Sequence, residues 1–147
     1  MDIENYIKQR VDDQIEWYDQ KSISCQKKYK CLQVIEIVLA ALIPLLSAYA
    51  SNCIAISIIV GIFGSTIAVI ESIVKLYKYH ENWIEYRSTC ELLRYQKNLY
   101  STHSSPYNIS DETIENLFVR NIENIISSEN NKWKTINMED KQKSKQS

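Results

Sequence analysis

The chain has 147 residues, a net charge of −1 and a mean hydropathy of −0.30. That length suits one domain or a small membrane-anchored unit, and the near-zero charge does not announce a nucleic-acid binder. Cys25, Cys31, Cys53 and Cys90 show no CxxC spacing, which argues against a zinc site or a disulfide framework, and with 2 Gly and 2 Pro the chain is expected to be helical almost throughout.

Residues 1–31 read as an N-terminal helix. Ile7, Val11, Tyr18, Cys25, Tyr29 and Leu32 recur at spacings of three, four and seven and make one stripe, thickened by Ile3, Ile15 and Trp17. The stretch from Met1 to Lys30 is polar, so no signal peptide is expected there. Asp12 and Asp13 point to adjacent helix faces and imply no acid–base pair.

Residues 32–74 follow as an apolar hairpin, with arms at about 32–51 and 53–74. No charged side chain or histidine occurs from Cys53 to Ile70, and none from Ile37 to Ala50. A helix of roughly 20 such residues spans a bilayer core of about 30 Å. The spacing predicts two transmembrane helices joined by the uncharged turn Ser47–Asn52, with Pro44 a candidate kink in the first. Lys21, Lys27, Lys28 and Lys30 precede the hairpin, and Lys75, Lys78 and Arg87 follow it. Positive flanks stay cytoplasmic, so both termini are expected on that side. The competing reading is a buried hairpin in a soluble helical protein.

The second arm carries Ser57, Gly61, Ser65, Ala68 and Ser72 on one face, widened by Gly64. Small residues let helix backbones approach closely. The face therefore serves either helix packing or the lining of a narrow pore. Glu36 and Glu71 fall near the same end of the hairpin. They either reach toward water, Glu71 pairing with Lys75, or face a water path, where several subunits would make a carboxylate ring that favours cations.

The second helix is expected to continue without a break through residues 75–100. Leu76, Tyr79, Trp83, Tyr86, Cys90, Leu93, Lys97 and Tyr100 form a heptad seam. His80, Arg87 and Arg94 make a basic row beside it, with Glu91 between the arginines. The row is either a salt-bridged face or, with Lys97, an anion site for phosphates on which Trp83 or Tyr86 stacks. Residues 101–110 read as a loop containing Pro106, and Ser110 with Asp111 and Glu112 as a helix start. A C-terminal helix over 111–135 presents Ile114, Leu117, Phe118, Ile122, Ile125, Ile126 and Trp133, and residues 136–147 are expected to fray. The fold class is all-α: a two-helix transmembrane hairpin extended into a cytoplasmic helical bundle, plus a third, C-terminal cytoplasmic helix. His80 and His103 are far apart in sequence, and no HExxH, GxSxG, GxGxxG or phosphate-loop motif occurs. No enzyme activity, metal or cofactor is expected.

A set of short motifs in order resembles the SLATT family of two-transmembrane effectors. They are Asp12-Asp13-Gln14-Ile15-Glu16-Trp17-Tyr18-Asp19 with Lys21, Ala41-Leu42-Ile43-Pro44, Glu71, and Glu81-Asn82-Trp83 with Tyr86-Arg87. Thr89, Glu91 and Lys97, Pro106-Tyr107, and Glu129 with Trp133 complete the set. The resemblance covers roughly residues 6–134. Gln96 departs from it, being uncharged where relatives carry an acidic residue before the base.

The resemblance implies an antiviral-defence effector of the bacterial inner membrane that causes abortive infection. It would assemble as a homo-oligomeric pore, a tetramer being favoured since four copies supply eight membrane helices, and would depolarise the membrane. Control would come from a nucleotide or oligonucleotide messenger made by a nucleotidyltransferase encoded nearby. An effector without a fused sensor is similar to the membrane component of Hailong-type systems, where the messenger would hold the pore shut. The alternative is a membrane-anchored helical scaffold that recruits a cytoplasmic partner.

Overall fold

A computed structural model describes residues 2–50, 53–108 and 113–143, with side-chain surroundings for all of these but Thr113 and 130–143. Ser51, Asn52, the expected helix start at Ser110 to Glu112 and the Trp133 side chain lie outside what is described. The fold is all-α. A short α1 (Ile3–Tyr6) leads through one π-helical turn (Ile7–Val11) into α2 (Asp12–Ala50), followed by α3 (Ile54–Tyr77), α4 (Tyr79–Ser101) and α5 (Thr113–Lys143). Asp2 starts α1 by accepting a hydrogen bond from the Glu4 amide. The wider π turn rotates the chain so that Tyr6 and Val11, five apart, are both buried. Helix α2 passes through Pro44 without interruption. Helix α5 continues to Lys143, beyond the boundary expected at 135.

The chain divides into two compact units, one of residues 1–20 and 86–147 and one of residues 21–85. The first holds the core. Tyr6, Val11, Tyr18, Cys90, Leu93, Tyr107, Phe118, Ile122 and Ile126 form one buried cluster. Burying each large side chain contributes about 1.5–3 kcal/mol. The Phe118 ring stacks on Tyr100 at 4.4 Å and meets Tyr107 edge-on at 5.8 Å. Tyr107 anchors the connection before α5: its hydroxyl donates to Gln96 Oε1 and accepts from Asn121 Nδ2 at 2.8 Å. Gln96 therefore has a neutral acceptor's task. Helix α5 is tied to the N-terminal segment by tyrosine–carboxylate pairs. Tyr6 donates to Glu123 and Tyr18 to Glu129, each at 2.9 Å, and Arg10 adds two bonds to Glu123 at 3.1 and 3.2 Å.

The second unit is the apolar hairpin. Each helix has a covered row at heptad spacing: half-buried Leu32, Glu36, Leu39, Ile43, Leu46 and Ala50 on α2, and half-buried Ile56, Val60, Phe63, Ile67 and Val74 with buried Ile70 on α3. The remaining apolar surface is open. Ile37 and Leu45 are each 65% exposed and Ile54 is 81% exposed. Core helices of a soluble protein bury such residues, whereas these two helices are long and apolar enough to cross a membrane with almost none of their apolar window buried. Several hydroxyl groups of the hairpin bond back to the helix backbone. Ser47, Thr66 and Ser72 each donate to the carbonyl four residues back.

The expected unbroken passage into residues 75–100 is corrected. Lys78 adopts a left-handed conformation, φ 48° and ψ 42°, and ends α3. Such a residue costs on the order of 1 kcal/mol. Asn82 offsets this by donating from Nδ2 to the Tyr77 carbonyl at 3.0 Å, while its amide bonds the Lys78 carbonyl at 2.9 Å.

Candidate functional site

Two sets of residues carried the functional expectations, and each is placed differently from a simple reading of the pattern. In the hairpin, Ser57, Gly61, Gly64, Ser65, Ala68 and Ser72 all lie exposed on α3. They are not the face α3 covers within the unit, which is the row of larger residues ending at Val74. A Cβ added at Gly61 or Gly64 would meet nothing within 4 Å. The small-residue face is an open strip with room beside it. A shallow cavity of about 310 Å³, lined by Ala68, Val69, Ser72, Ile73 and Leu76, lies at its end nearer Lys78. Ser65 donates to the Gly61 and Ile62 carbonyls at 3.1 and 2.9 Å, and Ser57 to the Ala50 carbonyl at 3.2 Å.

The two carboxylates part company. Glu36 sits in the half-buried row of α2 and accepts from Gln33 Nε2 at 2.8 Å. Glu71 pairs with Lys75 at 2.9 Å and keeps nearly half of its side chain exposed. Glu71 therefore borders the open face and Glu36 does not.

The basic row also divides. His80 and Trp83 belong to the hairpin unit, where His80 packs on Tyr29 at 4.9 Å and the Lys30 ammonium lies over the Trp83 ring at 5.7 Å. Tyr86, Arg87, Arg94 and Lys97 belong to the other unit. There Tyr86 packs against Trp17 and Tyr18. Arg87 bonds Asp19 at 3.1 Å and Glu91 at 2.6 Å, and Arg94 reaches the same two carboxylates at 3.4 and 3.2 Å. Lys97 pairs with Asp12. The arginines thus form a four-membered ion network, and an anion binding them must compete with Asp19 and Glu91. Asp12 and Asp19 had no assigned role in the basic row, although the signal was present. They are seven residues apart, as are Arg87 and Arg94, which is the spacing of two charged rows meeting along antiparallel helices.

The titrating groups of this unit report the same packing. Burial, then the hydrogen bond to a carboxylate, raises Tyr6 and Tyr18 well above the ordinary phenol range, so both act as fixed donors. Burial pushes the Cys90 thiol up, and its Sγ donates weakly to the Ile15 carbonyl. The Arg10 bond holds Glu123 below its usual value against the opposing effect of burial, with Tyr6 assisting. A carboxyl depressed in the folded state adds stability above its unfolded pKa and loses it as pH falls through the folded one. Glu123→Gln is therefore expected to lower the melting temperature of the detergent-solubilised chain at pH 7. The difference from wild type should vanish well below the free glutamate value of about 4.3. The pair is part-exposed, so screening keeps the effect small. Equal differences at both pH values would contradict the assignment.

No characterised protein and no solved structure matches the chain. One family model does, over residues 13–115, from the start of α2 through the hairpin and α4 to the beginning of α5. That match spans well over half of the sequence, so the chain belongs to DUF4231, a family of proteins of unknown function.

Proposed function

We propose that this chain is the membrane-spanning subunit of a homo-oligomeric ion channel. It would lie in a bacterial inner membrane with both termini cytoplasmic and act as an antiviral-defence effector that depolarises the membrane. The observation that carries this reading is the open small-residue face of α3, from Ser57 to Ser72, beside two helices whose apolar surface is largely exposed. Two helices cannot enclose a pore, and small-residue faces suit close helix contact, so neighbouring copies are the natural occupants. Glu71, bordering that face, would repeat as a ring of carboxylates, which favours cations. The resemblance to SLATT effectors supports the same reading and adds its control. A nucleotide or oligonucleotide from a partner nucleotidyltransferase would bind Arg87 and Arg94 and compete with Asp19 and Glu91. Such a ligand gates only if it binds one packing of the helices better than the other.

The test is ion flux from liposomes containing the purified chain, with and without nucleotides and short oligonucleotides. Flux that a ligand switches on or off is expected, and Arg87→Glu with Arg94→Glu should abolish the switching while leaving unliganded flux in place. Absence of flux under every condition, from protein shown to be inserted and oligomeric, favours the scaffold reading. Both arginines pair with carboxylates of their own chain, so a messenger must displace those pairs to bind.

A further inference from the structure

The left-handed residue at Lys78 does more than end α3. Residues two apart in a continuous helix point away from each other. Across the break they converge: the Tyr77 and Tyr79 rings stack at 5.4 Å with only 12° between their planes. The Lys28 ammonium lies over the Tyr79 ring at 5.8 Å, and that of Lys30 over Trp83 at 5.7 Å. These contacts hold two cations at the depth of three aromatic rings. Tyr77 is 56% exposed, and the neighbouring Leu76, where the apolar stretch ends, is 76% exposed. Residues 21–30 and 76–85 together carry five lysines against two glutamates.

We infer that Lys28, Lys30 and Lys78, with the Tyr77–Tyr79 stack and Trp83, form a binding site for anionic phospholipid headgroups. The inference rests on the membrane-spanning reading and adds to it a lipid preference located at one shelf. Tyrosine and tryptophan settle at the headgroup level, where an apolar ring edge and a wet polar tip are both accommodated. Lysines at that depth attract the negative surface of the cytoplasmic leaflet. The occupant is a lipid rather than a soluble phosphate because the Tyr79 ring under Lys28 stacks on exposed Tyr77, next to exposed Leu76, and an acyl chain covers that apolar surface where a free anion does not.

The test uses the full-length chain with Trp17→Phe and Trp133→Phe, so that Trp83 alone fluoresces, in vesicles of phosphatidylcholine and phosphatidylglycerol. One lipid at a time is brominated near the head of its acyl chains. At equal mole fraction, brominated phosphatidylglycerol is expected to quench Trp83 roughly threefold more strongly than brominated phosphatidylcholine, and added salt should reduce the preference. Lys28→Gln, Lys30→Gln and Lys78→Gln together should make the two lipids equivalent. Equal quenching by both lipids before any lysine is changed, from protein that resists alkaline carbonate extraction, overturns the headgroup site and leaves the spanning reading standing. A preference that survives the triple substitution also overturns it. Release by carbonate with no quenching from either lipid overturns the spanning reading and the site together.

Discussion

Phe118→Ala is expected to lower the stability of the unit formed by residues 1–20 and 86–147 by roughly 3–5 kcal/mol, the range for a buried phenylalanine truncated to alanine. The ring is fully buried, lies 4.4 Å from Tyr100 in a stack and 5.8 Å from Tyr107 edge-on, and belongs to the cluster that α5 presents to the N-terminal segment and α4. Truncation removes both ring contacts and leaves a cavity that rigid aromatic walls cannot close. Tyr107 depends on the same packing, so its bonds to Gln96 and Asn121 should loosen with it. Amide hydrogen exchange on the full-length chain in detergent is the appropriate readout, because it reports stability segment by segment. Protection along α4 and α5 should fall by about two to three and a half orders of magnitude, since each 1.4 kcal/mol is a factor of ten. Phe118→Leu, which refills part of the cavity, should lose less. A loss below one order of magnitude for the alanine variant would show that Phe118 is not central to this core.

Gly61→Leu is expected to abolish channel flux while leaving the chain folded. The two effects separate because of where Gly61 lies. A Cβ there has open space, and replacing a helical glycine by leucine favours the helix by roughly 0.5–1 kcal/mol. The single chain should therefore be at least as stable as before. A branched side chain on the open face, however, holds an approaching helix away and removes the close contact that small residues permit. Flux from liposomes should fall at least tenfold, and cross-linking should show fewer oligomers at equal insertion. Gly61→Ala should fall between the two. Glu71→Gln, which keeps shape and removes charge, should preserve assembly and reduce cation preference. Wild-type flux and cross-linking in Gly61→Leu would remove the α3 face from the assembly.

Much of this architecture was legible in the sequence. The uncharged runs Ile37–Ala50 and Cys53–Ile70 mark both hairpin helices, since length and the absence of charge are local properties of the chain. The heptad at Cys90, Leu93 and Tyr100 was read correctly as a packing seam, with the first two fully buried. Its first member was not: Leu76 is largely exposed, because the break at Lys78 takes it off the helix that carries the rest. Nothing local announces that break. Lysine is a good helix former, and the turn depends on Asn82 capping the Tyr77 carbonyl, a contact that exists only once the chain has turned. Tyr6 was likewise missed, because its burial needs a π turn that helical periodicity does not anticipate.

The candidate sites divide along the same line. That α3 has a small-residue face and α4 a charged row follows from residue order, because a helix fixes which side chains are neighbours three and four apart. Whether a face is covered or open depends on what packs beside it. Residue spacing was equally consistent with Ser57–Ser72 packed against α2 and with the outward strip observed. The choice went to the larger row from Ile56 to Val74, because interlocking branched and aromatic side chains bury more apolar area than glycine and serine can. The arginines follow the same logic. Their positive charge is written in the sequence, but their engagement with Asp19 and Glu91 is set by the antiparallel register of α2 and α4. Composition and periodicity thus determine that the chain is helical, bears an apolar hairpin and carries paired charged rows. Packing determines which of those rows remain open to a partner, since an open face is defined by the neighbours it lacks.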